Sequence, residues 1–302
     1  MGDDVERFHI SEIDTRGVEV FDRLAASEKT EQCGNLAKFI FKHSRSVQVK
    51  QYISKRFLAL LLSEYKFLLI RDFEHESQKL INLYCNRASK KLNISCDIAV
   101  FSELATRYVD EGKTLLHYDR LYTLFQAVRN VLAFPGDIIE LGVYRGGSLK
   151  FIREVLDLLG GTQSLYGFDT FAGHSVVTDH DGPVHKEQLF ADTGGFEGVT
   201  AYIADPRVRL IRGDVSETIH HYLEQADSVC LAHFDMDVYQ PTADALPPVY
   251  EKLCPNGIIL FDDYGFTSCP GVKRAVDDFL AITPALHFHL MTGQLIVCKT
   301  AC

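Results

Sequence analysis

"SVCLAHFDMDVYQPTADALPPVYEKLCPNGIILFDD", residues 228–263, decides the fold. It opens on a short β-rich run that ends in Asp235 and Asp237. A helix-forming stretch, Thr242 to Leu253, follows, and a second β-rich run closes on Asp262 and Asp263. Short apolar strands alternating with helical stretches read as parallel β-α-β units. The same alternation holds upstream. "DIIELGV" precedes Gly147–Leu159, "SLYGFDT" precedes Gly195–Ile203, and "RVRLIRGD" precedes Ser216–Gln225. Downstream, "GIILFDD" precedes Gly271–Ala281, and "LHFHLMT" and "QLIVCKT" flank "GQ", a hairpin signal. The reading is an α/β fold, a doubly wound and mostly parallel sheet covered on both faces, because each crossover helix must bury an apolar stripe.

Ligands of such sheets bind beyond the carboxyl ends of the strands. Glu140 and Gly142 follow the first strand, Asp169 the second, Asp214 the third, Asp235 and Asp237 the fourth, Asp262 and Asp263 the fifth. One acid at a strand end reads as a helix cap; acids after five successive strands converge on one crevice. Gly142, Gly146 and Gly147 let the backbone approach a ligand and expose amides at a helix N-terminus. The spacing E-x-G-x-x-x-G-G departs from the nicotinamide fingerprint. Asp169 suits the ribose of either NAD or S-adenosylmethionine. Gathered carboxylates repel unless a cation sits among them, and oxygen donors suit Mg²⁺. No Cys or His cluster has zinc-site spacing.

The chain has 302 residues, is 46% hydrophobic and 24% charged, and carries a net charge of −10. That is a globular composition and not that of a nucleic-acid binder. The start, "MGDDVERF", lacks a basic leader, and the most apolar run, Phe57 to Ile70, holds Glu64 and Lys66 and is too short to span a bilayer. Eight scattered Cys point to reduced thiols in a cytoplasmic protein. Residues 1–115 read as a helical region for oligomerisation or acceptor cover, and 116–302 as the catalytic domain, with a homo-oligomer expected.

The segments "GDIIELGVYRGGSLKFI", "YGFDTFAG" and "FDMDVYQPTADALPPVYEKLCPNGIILFDDYGFTSCPGVKRAVDDFL" together resemble the macrocin O-methyltransferase family. Its members are class I S-adenosylmethionine-dependent enzymes that methylate sugar hydroxyls. The resemblance covers roughly residues 118–300. It implies a seven-stranded sheet with the last strand antiparallel, and Mg²⁺ on Asp235, Asp262 and Asp263. It further implies cofactor contacts at Glu140, Gly142, Ser148 and Asp169; Gly146 and Asp214 join this set by position. The N-terminal helical region is longer than in typical members, and Pro241 stands where the family often has Ser. Distantly related catechol-type enzymes carry a catalytic Lys at the position of Val238. The base must then come from elsewhere, and the resemblance implies a general-base His in "FAGHSVVTDHDGPVHKEQLF", with His185 first, then His180, then His174. Asp235 is the second catalytic candidate, and His233, inside a strand, reads as a core or supporting residue. The expected function is Mg²⁺-dependent methyl transfer from S-adenosylmethionine to a sugar or glycoside hydroxyl. A metal-dependent glycosyltransferase using Asp235-x-Asp237, a nicotinamide oxidoreductase and a non-catalytic scaffold are the alternatives.

Overall fold

The structure, a computed structural model, describes residues 16–26, 30–44, 46, 49–50, 52–53 and 96–300. The apolar run Phe57–Ile70 and the first eight residues lie outside these, as does most of the helical rhythm read between residues 35 and 92. Chain contacts form two compact units, 1–72 and 73–302.

In the first unit, α1 (Arg16–Ala26) packs on α2 (Thr30–His43). Val20, Phe21 and Leu24 of α1 meet Leu36, Ala37 and Ile40 of α2, the three-and-four spacing of one buried helix face. Tyr52 donates a 2.9 Å hydrogen bond to Asp22 across this unit.

Among the described residues, the second unit opens with α3 (Cys96–Glu111), on the N-terminal side of the 115/116 boundary drawn from the sequence, and α4 (Tyr118–Val131). Then β1 (Asp137–Leu141), α5 (Gly147–Leu159), β2 (Leu165–Asp169), α6 (Gly195–Ile203), β3 (Val208–Arg212), α7 (Val215–Gln225) and β4 (Val229–Phe234) alternate. The chain continues through α8 (Tyr239–Lys252), β5 (Leu253–Phe261) and α9 (Pro270–Ile282) to the hairpin β6 (Leu286–His289) and β7 (Leu295–Cys298). The sheet has seven strands in the order β3-β2-β1-β4-β5-β7-β6. The β1 to β5 pairings are parallel, and β7 runs antiparallel to both β5 and β6. This is the seven-stranded α/β architecture expected, with the last strand reversed.

Two boundaries move. Helix α8 begins at Tyr239, ahead of the expected Thr242, because Pro241 falls in the first turn, where its missing N–H costs nothing. Strand β5 begins at Leu253, not Gly257, because Leu253 already pairs with Val229.

The two sheet faces follow from strand alternation. Ile138, Leu231, Ile258 and Leu260 pack with α3, α4 and α5, where Phe101, Tyr108, Phe125 and Phe151 make edge and tilted ring contacts. Ile139, Ala232, Phe234, Ile259 and Phe261 pack under α7, α8 and α9. Alternation leaves Glu140, His233 and Asp262 on the face that α4 covers. Among the described residues, no helix is long and apolar enough to cross a membrane.

Candidate active site

The order reverses direction between β1 and β4, so a crevice opens beyond their carboxyl ends. The glycine loop forms one wall. Gly142 has φ +90°, and a Cβ there would fall 1.9 Å from the carbonyl oxygen of Asp235. The loop after β1 therefore lies directly against the acid-bearing loop after β4, and glycine is required by both φ and contact. Asp235 N–H donates 2.8 Å to Leu141 carbonyl and fixes that juncture. Gly146, at φ +87°, ends the loop as the N-cap of α5.

Oxygen atoms of Asp235, Asp262 and Asp263 lie within 4.8 Å of one another. Asp262 and Asp263 are buried and Asp235 is partly exposed, as an acid facing an open crevice must be. Burial first, then the neighbouring carboxylates, pushes Asp235 and Asp263 well above the usual carboxylate range. Burial also opposes charge on Asp262, but the Arg120 guanidinium and His233 outweigh it and hold Asp262 below its ordinary value. The triad is thus an oxygen cage with too few positive partners, the donor set and charge deficit a hard divalent cation would satisfy.

Supporting groups fix Asp262. Arg120 of α4 forms an ion pair with one of its oxygens and donates 2.6 Å to Leu115 carbonyl. Gln294, fully buried in the hairpin turn, donates 2.8 Å to the other oxygen. His233 Nδ1 lies 2.9 Å from Glu140, its partner in the β1–β4 register. Its Nε2 is 3.9 Å from Asp262, beyond hydrogen-bond reach, and has no hydrogen-bond partner. Burial opposes a charged His233, yet the flanking carboxylates of Asp262 and Glu140 raise its pKa to about 10. Neither Arg120 nor Gln294 was found from sequence.

The remaining site residues divide. Asp169 Oδ2 accepts 2.8 Å bonds from the amides of Val143 and Tyr144, and Oδ1 accepts 2.6 Å from Phe171. It organises the glycine loop and is partly exposed at the carboxyl end of β2. Ser148 is buried in the first turn of α5. Glu140, expected at the cofactor, is fully buried and turned to His233, because the strand register puts the two side by side. Asp214, also expected there, is the N-cap of α7: Oδ1 accepts from Ser216 N at 2.8 Å, and Oδ2 accepts from Ser175 at 2.5 Å.

Segment 170–194 folds over the crevice side of the sheet and is tied down by polar contacts. Asp181, fully buried, accepts 2.5 Å from Tyr239 N at the start of α8 and 2.7 Å from Thr178 N. Asp192 pairs with Arg145 and accepts 3.0 Å from Tyr144 hydroxyl. His185 is buried, with Nε2 3.0 Å from Ser268 carbonyl and Nδ1 3.3 Å from His174 Nε2. A carbonyl can only accept, so Nε2 carries the proton and Nδ1 is the basic nitrogen. His185, Asp237 and Cys269 also present ligand atoms within 4.8 Å of one another. Asp237 has φ +63°, unusual for a non-glycine residue, and its amide donates 3.1 Å to Asp263. His180 is exposed, and its ring packs at a 51° tilt against Tyr239, ring centroids 4.4 Å apart.

The family model for macrocin-O-methyltransferase (TylF) matches residues 69–284. The chain belongs to this family. Its methyltransferase membership removes the glycosyltransferase and nicotinamide readings of the acids. The 8-demethyl-8-(2,3-dimethoxy-α-L-rhamnosyl)-tetracenomycin-C 4'-O-methyltransferase of Streptomyces olivaceus is 31% identical over 179 residues, 55% of this chain and 67% of that protein. The mycinamicin III 3''-O-methyltransferase of Micromonospora griseorubida is 27% identical over 187 residues, 57% of this chain and 72% of the relative. Among solved structures, the calicheamicin methyltransferase CalS11 is 27% identical with a TM-score of 0.55, covering 70% of this chain and 90% of its own. The O-methyltransferase NovP shares the fold at a TM-score of 0.53 and 24% identity, covering 62% of this chain and 82% of its own.

Proposed function

We propose that this chain transfers a methyl group from S-adenosylmethionine to a hydroxyl of a sugar or glycoside, with Mg²⁺ held by Asp235, Asp262 and Asp263. The observation that carries the reading is the contact between Gly142 and the Asp235 carbonyl. It sets a cofactor-type glycine loop directly beside an oxygen-donor cage, so methyl donor and acceptor hydroxyl meet at one place. The named relatives methylate sugar hydroxyls of natural products, which supports a glycoside acceptor.

In this reading Gly142, Gly146, Ser148 and Asp169 shape the cofactor pocket, Asp169 by holding the loop amides and offering its remaining lone pairs to ribose hydroxyls. Glu140 and Asp214 act from behind, through His233 and through the cap of α7. Bound Mg²⁺ would supply Lewis-acid polarisation of the acceptor hydroxyl. Asp235 borders both the loop and the cage and orients that hydroxyl. His185 takes the proton at Nδ1, and the nearby Asp237 carboxylate stabilises the imidazolium that results. Segment 170–194 keeps water from the sulfonium. Orientation and desolvation provide much of the rate, since the sulfonium is already a reactive electrophile.

Residues 116–302 are assigned catalysis, and 1–115 oligomerisation or acceptor cover. A reducing cytoplasmic setting fits Cys33, Cys230, Cys254 and Cys298, which are unpaired thiols. The deciding experiment incubates the full chain with methyl-labelled S-adenosylmethionine and a panel of rhamnosyl and other deoxysugar glycosides, with Mg²⁺ or with chelator. Label in a sugar O-methyl ether only when Mg²⁺ is present is expected. Label that appears equally after exhaustive chelation would return the acids to a structural role, and no label in any glycoside would overturn the acceptor class.

A further inference from the structure

His185, Asp237 and Cys269 form a cluster of different chemistry from the acid triad beside it. The three come from the segment over the crevice, the loop after β4 and the start of α9, so only the fold assembles them. Two of the three, His185 and Cys269, are buried. A thiol, an imidazole and a carboxylate are the donor types of zinc-class ions, whereas the oxygen-only triad suits Mg²⁺.

One ligand-to-ligand distance, now a hydrogen bond from the Cys269 thiol to Asp237, has the length that two ligands of one ion would have. A thiolate at about 2.3 Å and a carboxylate oxygen at about 2.1 Å from a tetrahedral ion are separated by about 3.6 Å. Cys269 Sγ and Asp237 Oδ1 are 3.6 Å apart. His185 is arranged as a metal-binding histidine is: one ring nitrogen donates to a backbone carbonyl, which fixes the tautomer and leaves the other as a lone-pair ligand. That ligand atom, Nδ1, now faces His174 at 3.3 Å.

We propose that His185 Nδ1, Asp237 and Cys269 constitute a second metal site, selective for Zn²⁺-class ions, with a fourth position left to water. Binding breaks the Cys269 S–H bond and forms a metal–thiolate bond, the proton passing to solvent. Because the ion occupies the Nδ1 lone pair assigned to proton removal, Zn²⁺ inhibits methyl transfer while Mg²⁺ supports it. The inhibitory consequence rests on the function proposed above; the site itself does not.

The test is a Co²⁺ titration of the full chain in excess Mg²⁺, followed by absorption. One equivalent of Co²⁺ is expected to produce a near-ultraviolet thiolate-to-cobalt charge-transfer band and tetrahedral-type visible bands, and Zn²⁺ is expected to bleach both. Cys269→Ser and Cys269→Ala should lose the charge-transfer band, and Asp262→Asn should keep it. Absence of the band in the wild-type chain overturns the site, whether or not any variant folds. A band that persists in folded Cys269→Ser assigns the thiolate to another cysteine and overturns it as well. The spectra read metal ligation without turnover, so they stand or fall separately from the methyltransferase assay.

Discussion

Arg120, on α4, forms an ion pair with Asp262, beyond β5, with the two side chains 11% and 0% exposed. Both charges are out of water, so each depends on the other. Arg120→Met should destabilise the fold by about 3–5 kcal/mol, because Asp262 is left buried with an uncompensated charge. Because Asp262 is held below its ordinary pKa, the stability it contributes is present above the unfolded carboxylate value and lost as pH falls through the folded one. In the variant that acid limb should shrink. Urea unfolding across acidic pH checks both effects, and unchanged curves would show that Arg120 does not support the site.

Mg²⁺ should raise the melting temperature of the wild-type chain, since ligands that bind only the folded state stabilise it by mass action. Asp263→Asn should abolish most of that rise while leaving the affinity for S-adenosylmethionine near wild type. Thermal melts with Mg²⁺ and with chelator, paired with calorimetry of the cofactor, measure the two quantities. Equal Mg²⁺ responses in variant and wild type would remove Asp263 from the cage.

Asp169→Ala should weaken the cofactor by about 1.5–3 kcal/mol, the range for hydrogen bonds to a charged group. It should also lower stability, because the amides of Val143, Tyr144 and Phe171 lose their acceptor. A calorimetric affinity that does not change in a destabilised variant would make Asp169 a loop anchor alone.

Gly142→Ala should cost well over ~1 kcal/mol, because the φ is positive and the new methyl would meet backbone rather than a yielding side chain. Cofactor affinity and Mg²⁺ response should fall together, since the loop after β1 and the loop after β4 must separate. Loss of only one of the two would contradict the shared wall.

His185→Ala should reduce turnover roughly 10²-fold, the low end for a general base, with cofactor and Mg²⁺ affinity retained. His180→Ala, at an exposed ring, should change little. Single-turnover rates of the two variants, with His174→Ala as the neighbour control, decide it. Full activity in His185→Ala would move the base to Asp237.

The acids of the cage were legible because parallel topology forces every strand-end residue toward one edge, and a sequence shows strand ends clearly. Their partners were not. Arg120 reads as one polar position on an amphipathic helix, and Gln294 as an ordinary turn residue; what makes them functional is contact with Asp262, 142 positions from Arg120 and 32 from Gln294. Glu140 and Asp214 show contacts that strand ends alone do not reveal: Glu140 Oε1 meets His233 in register, and Asp214 caps α7. These outcomes depend on side-chain direction, which a one-dimensional pattern does not hold. His185 was ranked first of three histidines on position alone, and the hydrogen bond to Ser268 that fixes its ring joins loops far apart in sequence.

Asp181 ties the covering segment to the first turn of α8, the helix that follows Asp235 and Asp237. The cover therefore cannot lift without stripping an N-terminal amide of its acceptor, and the disturbance is delivered to the very loop that carries the acids. Opening the entrance and loosening the cage become one mechanical event.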